Sequence, residues 1–224
     1  MYNIYIGYDP NEIEAYHVMS HSIIKHASAP VSITPLKLQT LPMWRERTEA
    51  QSTEFSFSRF LVPYLSGYKG WSLFMDCDML VTSDIVELFQ YANDKYAVMC
   101  TKHEYETAHE TKFLGQINPG YKRKNWSSVM LFNNKYCQIL TPPNVNSMSG
   151  LDLHRFNWVP DAQIGDLPLT WNYLVAEQHH YPEGRGHRPP PNLHWTIGGP
   201  WFDDYQDAEW SETWRDYRKE VFHG

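Results

Sequence analysis

The sequence predicts a globular α/β protein, and three observations support that class. Hydrophobic residues make up 42% and charged residues 20% of the 224 positions, which is ordinary for a chain with a packed core. A run rich in β-branched and aromatic residues, from Tyr2 to Gly7, is followed at once by residues typical of a helix start. A second apolar run begins at Trp71 and ends in two carboxylates, Asp76 and Asp78, and ligands of open α/β sheets bind beyond the carboxyl ends of the strands.

The first strand leads into a well-marked helix. Asp9 is a good N-cap, Pro10 suits the first helical position, and Glu12 lies three residues after the cap. A strand, a glycine and a helix in this order are typical of nucleotide-binding α/β units, although the dinucleotide pattern G-x-G-x-x-G is absent. Gly7, Tyr8 and Asp9 are therefore candidates for a nucleotide contact, and a plain capped turn is the alternative.

The remaining elements are predicted from apolar runs and turn residues. Pro35 makes the second strand short or places it at a sheet edge. A polar loop covers residues 102–125, and a loop of that length is usually functional or mobile. Residues 141–157 are predicted to hold one helical turn, and the final helix turns a stripe of Trp214, Tyr217 and Val221 toward the domain. Further strands are expected at 31–38, 71–81, 96–101 and 125–133, helices at 53–65, at 85–91 and from about 211, and a loop at 182–193.

Asp76 and Asp78 form the chemically most informative pair. In a strand, residues i and i+2 point to the same face, so the two carboxylates project together at or just past the strand end. Two adjacent carboxylates repel each other, and burying them without compensation is costly. A divalent cation relieves that cost, and hard oxygen ligands suit Mg²⁺ or Mn²⁺. The alternative is that both residues begin a loop and cap the segment that follows.

Charge and composition exclude several classes. The net charge of −7 leaves no basic footprint for nucleic acid. The odd number of cysteines, without metal-like spacing, indicates a reducing compartment and no disulfide framework. No signal peptide and no run of transmembrane length is apparent, so we expect a cytoplasmic protein. The high aromatic content of 15%, with 9 Trp and 15 Tyr, suits stacking on sugar rings or nucleobases. The cysteines are Cys77, Cys100 and Cys137.

Two further features are ambiguous. His17 and His21 have a spacing that can bind zinc, but without a third ligand they are interpreted as partly buried or surface histidines. Arg59 lies among apolar residues and either belongs to a solvated face or turns toward the carboxylates or a diphosphate.

The order of these segments resembles one family. The segments are Tyr8-Asp9, Ser58-Arg59-Phe60, Asp76-Cys77-Asp78, 125–133, 161–172 and 194–201, the last with a His and a Pro-Trp pair. Together they resemble the GT-A-fold nucleotide-sugar glycosyltransferases, most closely family 8, over most of residues 2–202. The resemblance implies a single-domain GT-A fold of residues 1–224, a Rossmann-like mixed open sheet flanked by helices. It further implies a nucleotide-binding half at about 1–101 and an acceptor-side half at about 102–224.

The resemblance also implies an activity and a site. It implies transfer of a hexose from a nucleoside-diphosphate sugar, UDP in preference to GDP, to a sugar or glycan acceptor, with retention at the anomeric carbon. Asp76, Asp78 and His194 would hold Mn²⁺ or Mg²⁺, and Asp161 and Gln163 would act as catalytic residues near the donor sugar. The implied donor contacts are Gly7, Tyr8, Asp9, Arg59, Asp76, Cys77, Asp78, Ser128 and Gly198.

This sequence departs from the family pattern at two places. Ser128 stands where the family has a glycine, and Gly199 stands where a lysine before Pro-Trp contacts phosphate, with spacing from His194 one residue shorter. Four cations are hypothesised to supply the missing charge: Lys122, Arg123, Arg185 and Arg188.

Several alternatives stay open. One is a protein that has a transferase fold and binds a nucleotide sugar but does not catalyse its transfer. A phosphohydrolase of the haloacid-dehalogenase type is another, although that group usually has Thr or Val where Leu80 stands and carries its motif near the N-terminus. His194 has the alternative of an ordinary strand histidine, and the Trp171-Asn172 pair that of a core tryptophan and a cap.

Overall fold

A six-stranded mixed sheet forms the centre of the protein. The computed structural model describes residues 1–47, 51–103, 111–112, 116–117, 123, 125–177 and 188–222. The strands are β1 Tyr2–Gly7, β2 Val31–Leu36, β3 Trp71–Met75, β4 Met79–Val81, β5 Val98–Cys100, β6 Thr111–Lys112, β7 Gln116–Ile117, β8 Val129–Asn133, β9 Ile164–Asp166, β10 Tyr173–Leu174 and β11 Asn192–His194. The helices are α1 Ile13–His26, α2 Val62–Leu65, α3 Val86–Phe89, α4 Pro142–Ser147, α5 Gly150–His154 and α6 Ser211–Phe222.

The strand order in the central sheet is β2-β1-β3-β8-β5-β9. Strands β2, β1 and β3 run parallel, β8 is antiparallel to both of its neighbours, and β9 is parallel to β5. A small second sheet has the order β10-β11-β4. As predicted, the strand that contains Pro35 lies at a sheet edge, although with six residues it is as long as β1. The predicted loop at 102–125 lies largely outside the described residues, which there include β6 and β7. The predicted loop at 182–193 is described from residue 188 onward, and its last two residues belong to β11.

The start of the chain folds as its sequence predicts. The Asp9 carboxylate accepts a hydrogen bond from the Asn11 backbone at 2.9 Å, which caps a short 3₁₀ turn that runs into α1. The face of α1 that contacts the sheet is apolar and includes Ala15, Met19 and Ile23. On the opposite side His17 is exposed, and His21 pairs with Glu220 at 2.9 Å, in agreement with their interpretation as ordinary histidines.

The long apolar run around the carboxylates is divided between the two sheets. Leu73, Phe74 and Met75 of β3 are completely buried, as expected for a central strand with both faces covered. The chain leaves the central sheet after Met75 and enters the small sheet at Met79. Asp76 and Asp78 therefore lie at the junction of the two sheets, just past the end of β3.

Two predicted segments differ in the structure. Residues 53–57 form turns, because the Ser56 hydroxyl donates to the Thr53 carbonyl at 2.7 Å and competes with helical hydrogen bonding. Regular helix begins only at Val62, after a 3₁₀ segment. Residues 141–157 hold two short helices, since Thr141 and Ser149 each cap a helix start with a side-chain hydrogen bond.

The C-terminal helix α6 covers the small sheet. Trp214 is 1% exposed and belongs to a second apolar cluster with Val18, Leu80 and Trp195, against which Tyr217 and Val221 also pack. The predicted stripe therefore does pack on the domain. Within the described ranges, every helix is too short or too polar to cross a bilayer.

Gly7 is required by packing. A Cβ at this position would lie 2.4 Å from the Phe55 ring, which lies against the end of β1. We expect Gly7→Ala to lower the free energy of unfolding by about 1–3 kcal/mol, the usual cost of overpacking. Urea titration of Gly7→Ala and of Gly7→Ala with Phe55→Leu measures this, and the smaller ring-less side chain should restore part of the loss. Equal stability of Gly7→Ala and the wild type would contradict this role.

Candidate metal and nucleotide site

Three potential metal ligands converge at the junction of the two sheets. Strand β11 is antiparallel to β4 and pairs His194 with Met79, so the imidazole lies beside the carboxylates that precede β4. His194 Nε2 is 3.2 Å from Asp78 Oδ1 and 4.0 Å from Asp76 Oδ2. One ligand atom from each of the three residues lies within 4.8 Å of the others. The structure thus brings the predicted ligand set together.

Asn172 determines the orientation of the histidine. Its amide nitrogen donates to the Asn125 carbonyl at 3.2 Å, so its oxygen faces His194 Nδ1 at 2.7 Å and accepts the proton there. The other ring nitrogen, Nε2, then faces the two carboxylates. A hydrogen-bonded partner of this kind commonly fixes the tautomer of a metal-binding histidine. Trp171 is a core residue, as the alternative interpretation held, but Asn172 serves the site.

The residues of the cluster fit a divalent cation. Among the described residues, Asp76 Oδ1 and Asp78 Oδ1 are both buried, and each faces a nitrogen, Arg59 Nη1 at 2.9 Å and His194 Nε2 at 3.2 Å, without a well-aligned hydrogen bond. A neutral His194 would point a nitrogen lone pair at two carboxylates, an arrangement that repels unless a cation or a proton lies between them. Carboxylate oxygens suit Mg²⁺ and Mn²⁺, which commonly bind through one or two carboxylates and substrate phosphates.

Arg59 is turned toward the carboxylates. Its Nη1 atom lies 2.9 Å from Asp76 Oδ1 and donates to the Ser127 carbonyl at 2.9 Å. The guanidinium carbon is 4.9 Å from the Phe74 ring centre and 5.2 Å from that of Phe55, within cation–π range. Of the two interpretations of Arg59, the structure excludes the solvated face.

The electrostatics of the cluster favour bound protons in the absence of metal. Burial raises the pKa of Asp76 above 3.8, and the charge of Asp78 adds to this against the opposing charges of Arg59 and His194. Burial lowers the pKa of His194, but the charges of Asp78, Asp76 and Glu177 outweigh it, so this pKa lies above 6.5. A metal ion that binds here must therefore displace protons.

Glu12 is a further carboxyl group beside the site. The sequence assigned it only to the helix start, yet it is 8% exposed and accepts a hydrogen bond from Cys77 Sγ at 3.5 Å. Burial, followed by the charges of Asp78 and Asp9, raises its pKa well above 4.5. No local sequence pattern links Glu12 to these carboxylates, so only the tertiary structure reveals it.

The other predicted nucleotide contacts near β1 and β3 differ in whether their side chains are exposed or already engaged within the protein. Tyr8 is partly exposed and packs edge-on against Tyr16, with ring centres 5.3 Å apart. Asp9 uses both carboxylate oxygens within the protein, one for the helix cap and one for the Glu54 backbone at 3.0 Å. The Cys77 side chain is fully buried. Tyr8 is thus the member of this group whose side chain is open to a ligand.

Ser128 and Gly198 are held by local packing. The Ser128 carbonyl accepts from the Asp76 backbone at 3.1 Å. Gly198 has a φ of +146°, and a Cβ there would lie 2.6 Å from the Tyr205 ring. At Gly199 a Cβ would lie 2.1 Å from the Trp201 ring. The indole of Trp201 therefore occupies the space that a lysine side chain would need at that position.

Asp161 and Gln163 lie away from the cluster. They form an exposed turn before β9, whose first residue pairs with Val98, whereas the opposite end of β5 pairs with Met130 near Asp76. The Asp161 side chain is 80% exposed and pairs with Arg123 at 2.7 Å. Of the other hypothesised cations, Arg188 is exposed, and Lys122 and Arg185 lie outside the described residues.

Two more ionisable residues near His194 were missed in the sequence. The pKa of His103 is lowered to about 4, first by burial and then by the charge of His194. Glu177 is partly buried and accepts a hydrogen bond from the Thr196 hydroxyl. Both belong to polar segments without a motif, so only their tertiary position reveals them.

Glu12 gives the protein a pH-dependent stability. Its pKa is raised in the folded state, so its contribution is fully present below about pH 4.5 and is lost as the pH rises toward the folded pKa. We expect Glu12→Gln, in the presence of a chelator, to raise the Tm more at pH 8 than at pH 5, since the amide carries no charge to bury. Thermal unfolding of both proteins across this range is the measurement, with exposed Glu87→Gln as control. A Glu12→Gln protein that is less stable than the wild type at pH 8 would contradict the assignment.

Comparison with solved structures identifies the fold of this chain. The apo structure of the WbbM bifunctional glycosyltransferase superposes with a TM-score of 0.66 at 16% identity, over 99% of this chain and 51% of that one. GlyE of Streptococcus pneumoniae gives 0.62 at 16% identity, over 97% of this chain and 60% of that one. This chain thus spans about half the length of the WbbM chain and about three fifths of the length of the GlyE chain. An active-site mutant of LgtC gives 0.65 at 12% identity, over 97% of this chain and 95% of that one. The fold is therefore the GT-A fold of glycosyltransferases, as predicted.

Sequence comparison identifies a relative. No family model matches the chain. Protein CDI of Arabidopsis thaliana is 45% identical over 229 aligned positions, which cover 98% of this chain and 88% of that protein. The chain therefore belongs to the same family as Protein CDI, and it has the GT-A fold.

Proposed function

We propose that this protein is a metal-dependent glycosyltransferase that moves a hexose from a nucleoside-diphosphate sugar to a sugar or glycan acceptor. The observation that carries the proposal is the convergence of Asp76, Asp78 and His194 within 4.8 Å, at the carboxyl end of β3 in a GT-A fold. One structure of similar fold is the galactosyltransferase LgtC in complex with donor and acceptor sugar analogues, with a TM-score of 0.57 at 13% identity.

The proposed roles follow from the contacts of each side chain. Asp76, Asp78 and His194 would hold Mn²⁺ or Mg²⁺, and Asn172 keeps His194 Nε2 directed at the ion. Bound there, the cation would offset the negative charge of the departing diphosphate. Arg59 neutralises part of the charge of Asp76, so that the cluster as a whole is less repulsive to an anionic donor.

The finer parts of the proposal are supported by the family resemblance. These are UDP rather than GDP as the leaving group, a hexose as the transferred sugar, and retention of configuration at the anomeric carbon. Tyr8 is the proposed contact for the base, since a partly exposed aromatic ring suits stacking. A catalytic role for Asp161 and Gln163 stays a prediction, because their exposed turn lies away from the cluster.

A nucleotide-sugar-binding protein without transferase activity is the second candidate. It is favoured by Gly199 and Trp201, which leave no room for the phosphate-binding lysine of the family. Such a protein would hold the donor without consuming it, whereas a transferase converts UDP-hexose to UDP. Release of phosphate from a generic phosphoester such as p-nitrophenyl phosphate would instead favour the phosphohydrolase alternative.

The metal site predicts metal-dependent nucleotide binding. We expect UDP to bind at least tenfold more tightly with Mn²⁺ than with a chelator, because an ion held by Asp76, Asp78 and His194 would attract the diphosphate. Isothermal titration calorimetry of the wild type measures this, and Asp78→Asn and His194→Ala should lose the metal-dependent part. Asp203→Asn and His17→Ala, at exposed positions away from the cluster, serve as controls. Equal UDP affinity with Mn²⁺ and with chelator would refute the proposal.

The raised pKa of His194 predicts a pH-dependent metal affinity. The proton on Nε2 must leave before the ion binds, so Mn²⁺ affinity should rise from pH 6 to pH 8 until the pH exceeds the folded pKa. The slope should approach about tenfold per pH unit for each displaced proton. Titrations with Mn²⁺ at several pH values test this, and His194→Gln should show a shallower slope than the wild type. A pH-independent affinity in the wild type would count against ligation by His194.

A further inference from the structure

Glu177 lies beside the metal cluster without belonging to it. Strand β10 runs parallel to β11, with Leu174 beside His194, and the Val175 backbone donates to the His194 carbonyl at 2.9 Å. The chain then turns, and the Glu177 backbone donates to the Leu174 carbonyl at 3.2 Å. This turn places the Glu177 side chain at Thr196, two residues after His194.

The turn that presents Glu177 is strained. Ala176, at its third position, has a φ of +65°, a left-handed conformation that costs a residue with a Cβ free energy and that usually belongs to glycine. Strained backbone of this kind tends to be retained beside functional sites, where the surrounding structure holds it in place. The side chain that directly follows this strained residue is that of Glu177.

The Glu177 carboxylate has capacity for another hydrogen bond. Among the described residues, the Thr196 hydroxyl is the donor that reaches it, and the side chain is only partly buried. Glu177 and His194 are within electrostatic reach, since the charge of each shifts the pKa of the other. Burial is nevertheless the larger influence, and it raises the pKa of Glu177.

The chemistry of this position favours a hydroxyl group as its ligand. Glu177 lies outside the group of described residues whose atoms converge on a single ion position. A diphosphate would be repelled by its negative charge, whereas a sugar hydroxyl can donate a hydrogen bond to it. The sugar that must lie next to the cluster is the one attached to the diphosphate held there.

We propose that Glu177, held by Thr196, binds a hydroxyl of the hexose of the donor nucleotide sugar and so helps to select that hexose. This inference rests on the proposed function, since it takes a nucleoside diphosphate at the Asp76, Asp78 and His194 cluster as given. It adds the turn after β10 to a donor site otherwise built around the ends of β1, β3 and β11.

The test compares the affinity for UDP with that for UDP-hexose, both in the presence of Mn²⁺. For the wild type, Glu177→Gln and Glu177→Ala, calorimetry gives the Kd of UDP, of UDP-glucose and of UDP-galactose. We expect Glu177→Ala to weaken binding of the UDP-hexose that the wild type binds more tightly by about tenfold, as for loss of a hydrogen bond to a charged group, while binding of UDP alone is not weakened. Glu177→Gln, which keeps an acceptor oxygen, should show a smaller loss, and Glu87→Gln should show none.

Two results would overturn the inference while leaving the proposed function intact. One is an unchanged affinity for both UDP and UDP-hexose in both Glu177 variants. The other is an equal weakening of UDP and UDP-hexose, which would show that Glu177 acts only through His194 and the metal site. A wild-type protein that binds no UDP in the presence of Mn²⁺ would refute the proposed function itself, so the two failures are distinguishable.

Discussion

The repulsion between buried carboxylates at the end of β3 is the constraint on which the rest of this structure depends. Asp76 and Asp78 stand together there, and Glu12 lies behind them against Cys77. Carboxylates concentrated in this way are stable only when cations, protons or hydrogen-bond donors compensate them. Arg59 supplies one such charge, and the His194 imidazole supplies a second when it is protonated. Burial first and the neighbouring carboxylates second raise the pKa values of Asp76 and Glu12, and the carboxylates raise the pKa of His194 against its burial.

The small second sheet is best understood as the support for His194. It joins β4, which directly follows the carboxylates, to β11, which ends in the histidine, and Asn172 enters just before β10 to bind Nδ1. Helix α6 covers this sheet through Trp214, so the position of the imidazole depends on packing far along the chain. Trp201 belongs to the same region, and its ring against Gly199 leaves no room for a lysine side chain at that position.

Local sequence patterns were reliable where a residue acts on its immediate neighbours. The cap at Asp9, the buried face of α1, the edge position of the strand with Pro35 and the stripe of α6 all follow from contacts within a few residues or one helix face. They were unreliable at 53–65 and 141–157, where serine and threonine hydroxyls decide between turn and helix. The resemblance implied Asp161 and Gln163 near the donor sugar, and this stays a prediction; their exposed turn precedes β9, the edge strand three positions from β3.

The sequence by itself determined the α/β class, the paired carboxylates at a strand end and, through a family resemblance, the GT-A fold and the candidate ligand His194. These are properties of short apolar runs, of a two-residue alternation and of the order of motifs along the chain. Only the tertiary structure decided that Arg59 faces Asp76, that Glu12 is buried behind Cys77, and that Glu177 reaches Thr196 beside the cluster. Each of these contacts joins segments distant in sequence, and burial and charge act through space, so no local pattern carries them.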